Sequence, residues 1–205
     1  MLSRTVLWLS HPPKRRDCIR WISVYLWDSS LKTFPTMKLR SLLCAVLCVF
    51  SVPSFCKALD VGAPAPDLSA LDQDGKTVQF KDVYAKGPTL VYFYPKADTP
   101  GCTKQACSLR DDWSTLKAKG VQVLGVSGDK PESQKKFVDK FTLPFTLIAD
   151  SDSKVADAFG VPHLGPIPKR QSFLIKDGKV VWTMPKASTD THAKDVLAAL
   201  EQLSK

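Results

Sequence analysis

Residues 89–111, TLVYFYPKADTPGCTKQACSLRD, contain the signals that decide the fold. Their first six residues form a continuous apolar run, which is typical of a strand buried on both faces of a parallel sheet. Thr99 has the side-chain chemistry of a helix N-cap, and Pro100 suits the first helical position. The stretch therefore predicts a buried strand, a short loop and a helix with Cys102 in its first turn and Cys107 five residues later.

The predicted helix sets the chemistry of its first cysteine. A thiol attacks as thiolate, and a helix N-terminus favours that anion through its unpaired N–H groups and the helix dipole. A structural disulfide between Cys102 and Cys107 is the alternative, and an oxidising compartment would favour it. However, the five-residue spacing closes a loop so short that it constrains little chain entropy. The sequence therefore favours a reactive thiol at Cys102.

Three residues of this stretch match a family pattern. Pro95, Thr99 and Cys102 fit P-x-x-x-[ST]-x-x-C, and the block resembles the active site of a peroxiredoxin. The C-x4-C spacing of the two cysteines resembles the peroxiredoxin Q group, also called bacterioferritin comigratory proteins. The similarity extends over about residues 60–203, judged by the order of elements.

The resemblance implies roles for five residues. Cys102 is the implied peroxidatic cysteine and Cys107 the implied resolving cysteine. Thr99 would offer its hydroxyl to the thiolate and the peroxide, and Pro95 would shield the sulfenic acid from water. Arg170, in the run KRQSFLI, matches the arginine that stabilises the thiolate and polarises the peroxide, a role that suits a cation that cannot deprotonate. Without the family match, an exposed basic residue next to Lys169 is the preferred interpretation of Arg170.

The implied activity is that of a thiol-dependent peroxidase, which reduces hydrogen peroxide and organic hydroperoxides to water and alcohols. It proceeds through a sulfenic acid on Cys102 and an intramolecular disulfide with Cys107, and it needs no metal or other cofactor. A thioredoxin-like or other thiol reductant would recycle it, and the implied role is antioxidant defence and redox homeostasis. Because both cysteines belong to one chain, the chemistry does not require a dimer, and we expect a monomer.

Two other functions stay open on the sequence. A protein-disulfide oxidoreductase would suit the fold, although such enzymes use C-x-x-C rather than C-x4-C. A binding module stapled by a disulfide is the second. A metal site built from the two cysteines with His163 and His192 is rejected, because zinc sites use closer cysteine pairs. These histidines also lie apart, one in a proline-rich loop and one at the start of the last predicted helix.

The first 58 residues differ in composition from the remainder. They contain nine Lys or Arg and two Asp or Glu, which is a net charge of +7 out of the +9 of the whole chain. Residues 37–58 have the basic region, the apolar run and the small-x-small cleavage site of a secretory signal peptide. Residues 1–36 are interpreted as lying upstream of the true start. Residues 59–205 then form one thioredoxin-like peroxiredoxin domain with a nearly balanced charge.

This leader predicts an exported protein of the bacterial periplasm. If residues 1–36 are translated, an organellar transit peptide is the alternative, because the stretch contains Arg and Ser but few acids. The apolar run at 42–52 is about half the ~20 residues that a spanning helix needs, so we expect no permanent membrane anchor. Removal of the leader also removes the basic charge that would attract nucleic acid, and we expect no nucleic-acid binding.

Beyond the leader, strand and helix signals alternate. Asp74-Gly75 marks a hairpin turn, and further strands are predicted at 89–94, 121–126, 145–149, 172–175 and 180–184. Helices are predicted at 100–119, 131–141, 152–159 and 189–203. This order predicts an α/β protein with a thioredoxin-like fold, in which helices flank a central mixed sheet and a β-hairpin extends the N-terminus. The short loop at 161–170 resembles the plastid branch of the group.

Overall fold

The computed structural model describes residues 57–203. All but the last two residues of the predicted leader lie outside this range, so the signal peptide, the start site and the cleavage site stay predictions. Within the described residues, no helix is both long enough and apolar enough to cross a membrane.

The described part of the chain alternates short strands and helices. The strands are β1 (Ser69–Asp72), β2 (Thr77–Gln79), β3 (Thr89–Phe93), β4 (Gln122–Ser127), β5 (Thr146–Ala149), β6 (His163–Leu164), β7 (Ile167–Pro168), β8 (Gln171–Lys176) and β9 (Lys179–Met184). The helices are α1 (Phe80–Tyr84), α2 (Pro100–Asp111), α3 (Trp113–Ala118), α4 (Pro131–Phe141), α5 (Lys154–Ala158) and α6 (His192–Gln202).

One mixed sheet organises these elements, in the strand order β2-β1-β5-β4-β3-β8-β9. The neighbours β3, β4 and β5 are parallel, whereas β8 lies antiparallel to β3 and β9 antiparallel to β8. The β1–β2 hairpin joins the sheet through β5. The predicted thioredoxin-like arrangement, with helices around a central mixed sheet and a hairpin at the N-terminus, is confirmed.

Strand β3 lies inside this sheet, and all five of its residues are buried. Tyr92 packs into the cluster that includes residues of α2, α4 and α6, while Val91 and Phe93 pack into the cluster on the other face. The Tyr92 ring fits because its partner on β4 is Gly125, where a Cβ would come within 2.7 Å of the hydroxyl oxygen. The predicted burial of this strand on both faces is confirmed.

Several local features differ from the sequence prediction. The helix predicted over 100–119 is two helices, because Asp112 departs from helical geometry (φ −93°, ψ 13°). Trp113 then begins α3 with its ring against Phe145. The apolar spacing continues across this break, so periodicity does not reveal it. Helix α1 and the β6–β7 hairpin lie outside the predicted elements, and the last helix begins at His192 instead of residue 189. Helix α4 has its predicted bounds.

Candidate active site

Cys102 lies in the first turn of α2, just beyond the carboxyl end of β3. It is 2% exposed, and both Cys102 and Cys107 are free thiols. The parallel strands β3 and β4 end at the same edge of the sheet, which is where open α/β sheets place their sites. The predicted position of Cys102, at a helix N-terminus that follows a buried strand, is confirmed.

Arg170 contacts the Cys102 thiol. Its Nη2 donates to Cys102 Sγ over 3.3 Å. The contact follows from strand register: β8 begins at Gln171, which pairs with Phe93 at the end of β3, so Arg170 reaches the edge where α2 begins. Gly101 lies at the same edge, where a Cβ would be in ordinary van der Waals contact with Arg170 Nη2 at 3.4 Å. The structure thus places a permanent positive charge against the sulfur atom.

Thr99 occupies the N-cap position of α2, but its side chain makes no capping hydrogen bond. Its hydroxyl instead donates to the carbonyl oxygen of Lys96 over 3.0 Å. The expected position of Thr99 is therefore confirmed, and the expected capping bond is wrong. Pro100 has no N–H group, and the Thr103 N–H donates to the Thr99 carbonyl oxygen over 2.8 Å. The N–H groups of Gly101 and Cys102 are therefore the ones that this end of α2 offers to an anion.

The loop that connects β3 to α2 is fixed by Asp129, a residue that sequence reasoning misses. Its Oδ2 accepts from the backbone N–H of Ala97 over 2.7 Å and from the Ser127 hydroxyl over 2.8 Å. Pro95, which is half-buried, begins this loop. Since Ser127 ends β4, the Asp129 carboxylate ties the loop to the neighbouring strand and holds Pro95 and Thr99 next to the start of α2.

Cys107 lies on the same unbroken helix as Cys102 and is half-buried. On an α-helix, residues five positions apart have Cα atoms about 8.6 Å from each other, whereas a disulfide tolerates at most ~7 Å. The two thiols therefore cannot form a disulfide while α2 keeps this geometry.

Behind Arg170, buried side chains extend the hydrogen-bond network of the site. Arg170 Nη1 donates to Gln105 Oε1. Gln105 Nε2 lies 3.2 Å from His192 Nδ1, and His192 Nε2 lies 2.9 Å from Ser172 Oγ. Burial, and after it the Arg170 charge, lower the pKa of His192 to about 4. The imidazole is therefore neutral at neutral pH, and the network joins α2, α6 and β8.

Sequence reasoning misses two members of this network. Gln105 follows Cys102 by three residues, which puts both side chains on one face of α2, and this spacing is a usable signal. His192 has no local signal, because Gln105 is 87 residues away in the chain. His163, the other histidine considered as a metal ligand, contacts Asp157 over 3.0 Å. Residues 57–203 contain no group of three or more side chains that could hold a metal ion.

Comparisons with known proteins agree with this geometry. The model of the AhpC/TSA family matches residues 61–183. The chain is 40% identical over 146 residues to a chloroplastic peroxiredoxin Q of Populus jackii, covering 69% of this chain and 68% of that protein. It is 45% identical over 152 residues to peroxiredoxin Bcp of Escherichia coli (strain K12), covering 70% and 97%. Among solved structures, the bacterioferritin comigratory protein of Xanthomonas campestris, studied for alkyl peroxide reduction, is 28% identical with a TM-score of 0.65, covering 71% and 100%.

Proposed function

The chain belongs to the AhpC/TSA family and to its peroxiredoxin Q and bacterioferritin comigratory protein group, and we propose that its two free thiols divide one peroxide reduction between them. It is a peroxidase, an oxidoreductase that uses a thiol reductant and serves an antioxidant role. In this proposal Cys102 is the peroxidatic cysteine and Cys107 the resolving cysteine. The observation that supports the assignment most directly is the 3.3 Å contact between Arg170 Nη2 and Cys102 Sγ.

The first step is attack of the Cys102 thiolate on one oxygen of the hydroperoxide. An S–O bond forms and the O–O bond breaks, so that sulfur is oxidised to a sulfenic acid. The other oxygen leaves as hydroxide or alkoxide and takes up a proton, which gives water or an alcohol. Arg170 stabilises the negative charge on the sulfur and on the breaking bond, because its guanidinium already faces Sγ and cannot deprotonate.

Thr99 and Pro95 complete the peroxide site in this proposal. The Thr99 hydroxyl proton is donated to Lys96, so its oxygen accepts the O–H of the incoming hydroperoxide. This hydrogen bond orients the O–O bond toward Cys102. Pro95 covers the sulfenic acid and limits the access of bulk water.

The second step joins the two cysteines. The Cys107 thiol attacks the Cys102 sulfenic acid, an S–S bond forms, and the hydroxyl group leaves as water. A dithiol reductant then attacks this disulfide through a mixed disulfide, and it is itself oxidised to a disulfide as both cysteines return to thiols. A thioredoxin-like protein supplies these two electrons in our proposal. The complete cycle needs one chain, so we propose a monomer, which sedimentation of the reduced and oxidised protein tests.

Two single substitutions test the division of labour. Cys102→Ser is expected to abolish the consumption of hydrogen peroxide and cumene hydroperoxide. Cys107→Ser is expected to give one rapid turnover and then to stall as a sulfenic acid, which a dimedone adduct at Cys102 reports by mass spectrometry. Ser133→Ala, at an exposed position of α4 within the working domain, is the control and is expected to leave both steps unchanged. If both substitutions remove the first turnover equally, the assignment of nucleophile and resolver is refuted.

We further propose that residues 1–58 are a leader and that residues 59–205 are the working domain. The chloroplastic names of several relatives support targeting to an organelle or export in general. The signal-peptide pattern at 37–58 favours export to a periplasm, with an organelle as the alternative. The intact mass of the protein isolated from its native source tests this, with an N-terminus at residue 59 expected. An N-terminus upstream of residue 50 contradicts the signal peptide.

A further inference from the structure

We infer that His192 is a positioning residue of the peroxidatic site, because it orients the side-chain amide of Gln105, which in turn aims Arg170 at Cys102. The inference rests on the proposed function, since it takes Cys102 and Arg170 as the reacting pair. His192 contacts Gln105 and Ser172 rather than the sulfur atom, so its effect on the reaction passes through Gln105.

The hydrogen-bond donors and acceptors of the network allow one orientation of the Gln105 amide and one tautomer of His192. A guanidinium has donors and no acceptor, so the group of Gln105 that faces Arg170 must be its carbonyl oxygen. The amide nitrogen then faces His192 Nδ1 across 3.2 Å, and an amide nitrogen can only donate. His192 Nδ1 is therefore an unprotonated acceptor. The ring proton is on Nε2 and is donated to Ser172 Oγ over 2.9 Å.

The same donors and acceptors show what removal of His192 Nδ1 does. Without an acceptor there, the Gln105 NH₂ group is buried without a partner, and a buried unsatisfied donor is costly. The amide can then rotate to satisfy its nitrogen elsewhere. Any rotation that takes the nitrogen to a new partner turns the carbonyl oxygen away from Arg170, and Arg170 loses the bond that fixes its Nη1. The direction of Nη2 toward Cys102 is lost with it.

The surroundings of His192 keep its ring in place and neutral. The residue is fully buried, and its ring lies edge-on to Tyr92 with centroids 5.6 Å apart. The charged group that faces it is Arg170, reached through Gln105, and both burial and this charge lower the pKa of His192. One position further on, the N–H of Ala193 donates to Ser108 Oγ on α2 over 3.2 Å. These contacts fix the start of α6 against the helix that contains both cysteines.

A packing role for His192 is the competing explanation, and two substitutions separate the explanations. In His192→Asn, the side-chain oxygen Oδ1 can still accept from Gln105, but the contact with Ser172 is lost. His192→Leu has a similar volume to histidine and no acceptor at all. If His192 only fills space, leucine is the milder change. If it orients Gln105, asparagine is the milder change. His163→Asn, at an exposed hairpin, is the matched control.

Two measurements on the reduced full-length protein report the reactivity of Cys102, one with an alkylating reagent and one with peroxide. Site-resolved mass spectrometry follows iodoacetamide alkylation of Cys102 across pH, and stopped-flow follows oxidation by hydrogen peroxide. We expect His192→Leu to move the midpoint of the alkylation profile to higher pH and to slow oxidation about tenfold, the size of effect of one well-placed hydrogen bond to a charged group. We expect His192→Asn and His163→Asn to stay close to the wild type. Equal effects of leucine and asparagine, or no effect of leucine, overturn the inference.

The tautomer gives a test that does not depend on a folded leucine variant. In ¹⁵N spectra at neutral pH, we expect unprotonated Nδ1 and protonated Nε2 for His192 of the wild type. In Gln105→Glu, a carboxylate replaces the amide and can accept from both neighbours, so Nδ1 is expected to gain the proton. A wild-type ring protonated at Nδ1, or an unchanged ring in Gln105→Glu, overturns the inference. A wild type that consumes no peroxide contradicts the proposed function, whereas the spectra and the alkylation profile still decide the role of His192.

Discussion

Formation of the Cys102–Cys107 disulfide is expected to open the first two turns of α2. The Cα atoms of the two cysteines are about 8.6 Å apart on an intact helix and must come to about 5.5–6 Å for a relaxed disulfide. No change of side-chain rotamer supplies this approach, so backbone hydrogen bonds between the cysteines must break. The tertiary bonds of Gln105 and Ser108 lie on the same segment and are lost with them.

The size of the effect follows from these bonds. Two bonds of Gln105 and one of Ser108 hold the segment to Arg170 and to α6, and at about 1 kcal/mol each they contribute about 3 kcal/mol to its protection. Their loss raises amide exchange over residues 103–109 by about 10²-fold. Helix α3 should change less, because the break at Asp112 separates it from α2 and Trp113 packs against Phe145.

Hydrogen–deuterium exchange of the reduced and the oxidised protein, read by mass spectrometry of peptides that cover residues 103–118, measures this difference. The control is Cys107→Ser treated with one equivalent of peroxide, which stops at the sulfenic acid and should keep the protection of the reduced protein. If the oxidised wild type keeps full protection over residues 103–109, or if the control loses it equally, opening of α2 on resolution is refuted.

Three further predictions follow from individual contacts. Ser108→Ala removes the acceptor of the Ala193 N–H, which should lower the cost of opening α2 by about 1 kcal/mol and speed disulfide formation from the sulfenic acid about fivefold in single-turnover quenching; slower formation contradicts this. Tyr92→Phe removes a buried hydroxyl that has no hydrogen-bond partner among the described residues, so urea unfolding of the reduced protein should show about 1 kcal/mol more stability rather than less. For His192, burial lowers the pKa from 6.5 to about 4, below the value of the unfolded chain, so the unfolded state binds more protons between these values. Its contribution to stability should be complete above pH 6.5 and should fall by about 3 kcal/mol as the pH drops to about 4. Melting temperatures across this range measure the loss, and His192→Asn should flatten the profile.

The parts of the fold that the sequence predicts well are those with local signals. Strand β3 is predicted because a strand buried on both faces reads as one apolar run. Helix α4 is predicted at both ends because Pro131 suits the first helical position and the apolar spacing continues to Phe141. The position of Cys102 follows from the same kind of signal, a proline and a glycine after a buried strand. Such signals act within a few residues, and a single sequence contains them.

The parts that the sequence misses depend on partners that are distant along the chain. Gln105 and His192 are 87 residues apart, and the contact exists because β8 and α6 bring the end of the chain back to α2. Thr99 shows the converse case, in which a residue has the right position and makes a different bond. Its hydroxyl donates to the carbonyl oxygen of Lys96, three residues earlier, instead of accepting a hydrogen bond from the N–H groups of α2. The Asp112 break is hidden because Leu109 before it and Trp113 and Leu116 after it keep the apolar spacing of one continuous helix.

The order of Cys102, Gln105 and Cys107 on one helix separates the two chemical steps in time. Attack needs Arg170 aimed at the sulfur, and that aim depends on Gln105 held between Arg170 and His192. Resolution needs Cys107 to approach Cys102, and Gln105 lies between them, so the movement that brings the sulfurs together also withdraws the amide from Arg170. The opened state therefore lacks both the helix N-terminus and the oriented arginine, and it should be a poor nucleophile toward a second peroxide. Variants that favour opening, such as Ser108→Ala, should therefore gain in resolution and lose in attack, and peroxide concentration decides which of the two rates limits turnover.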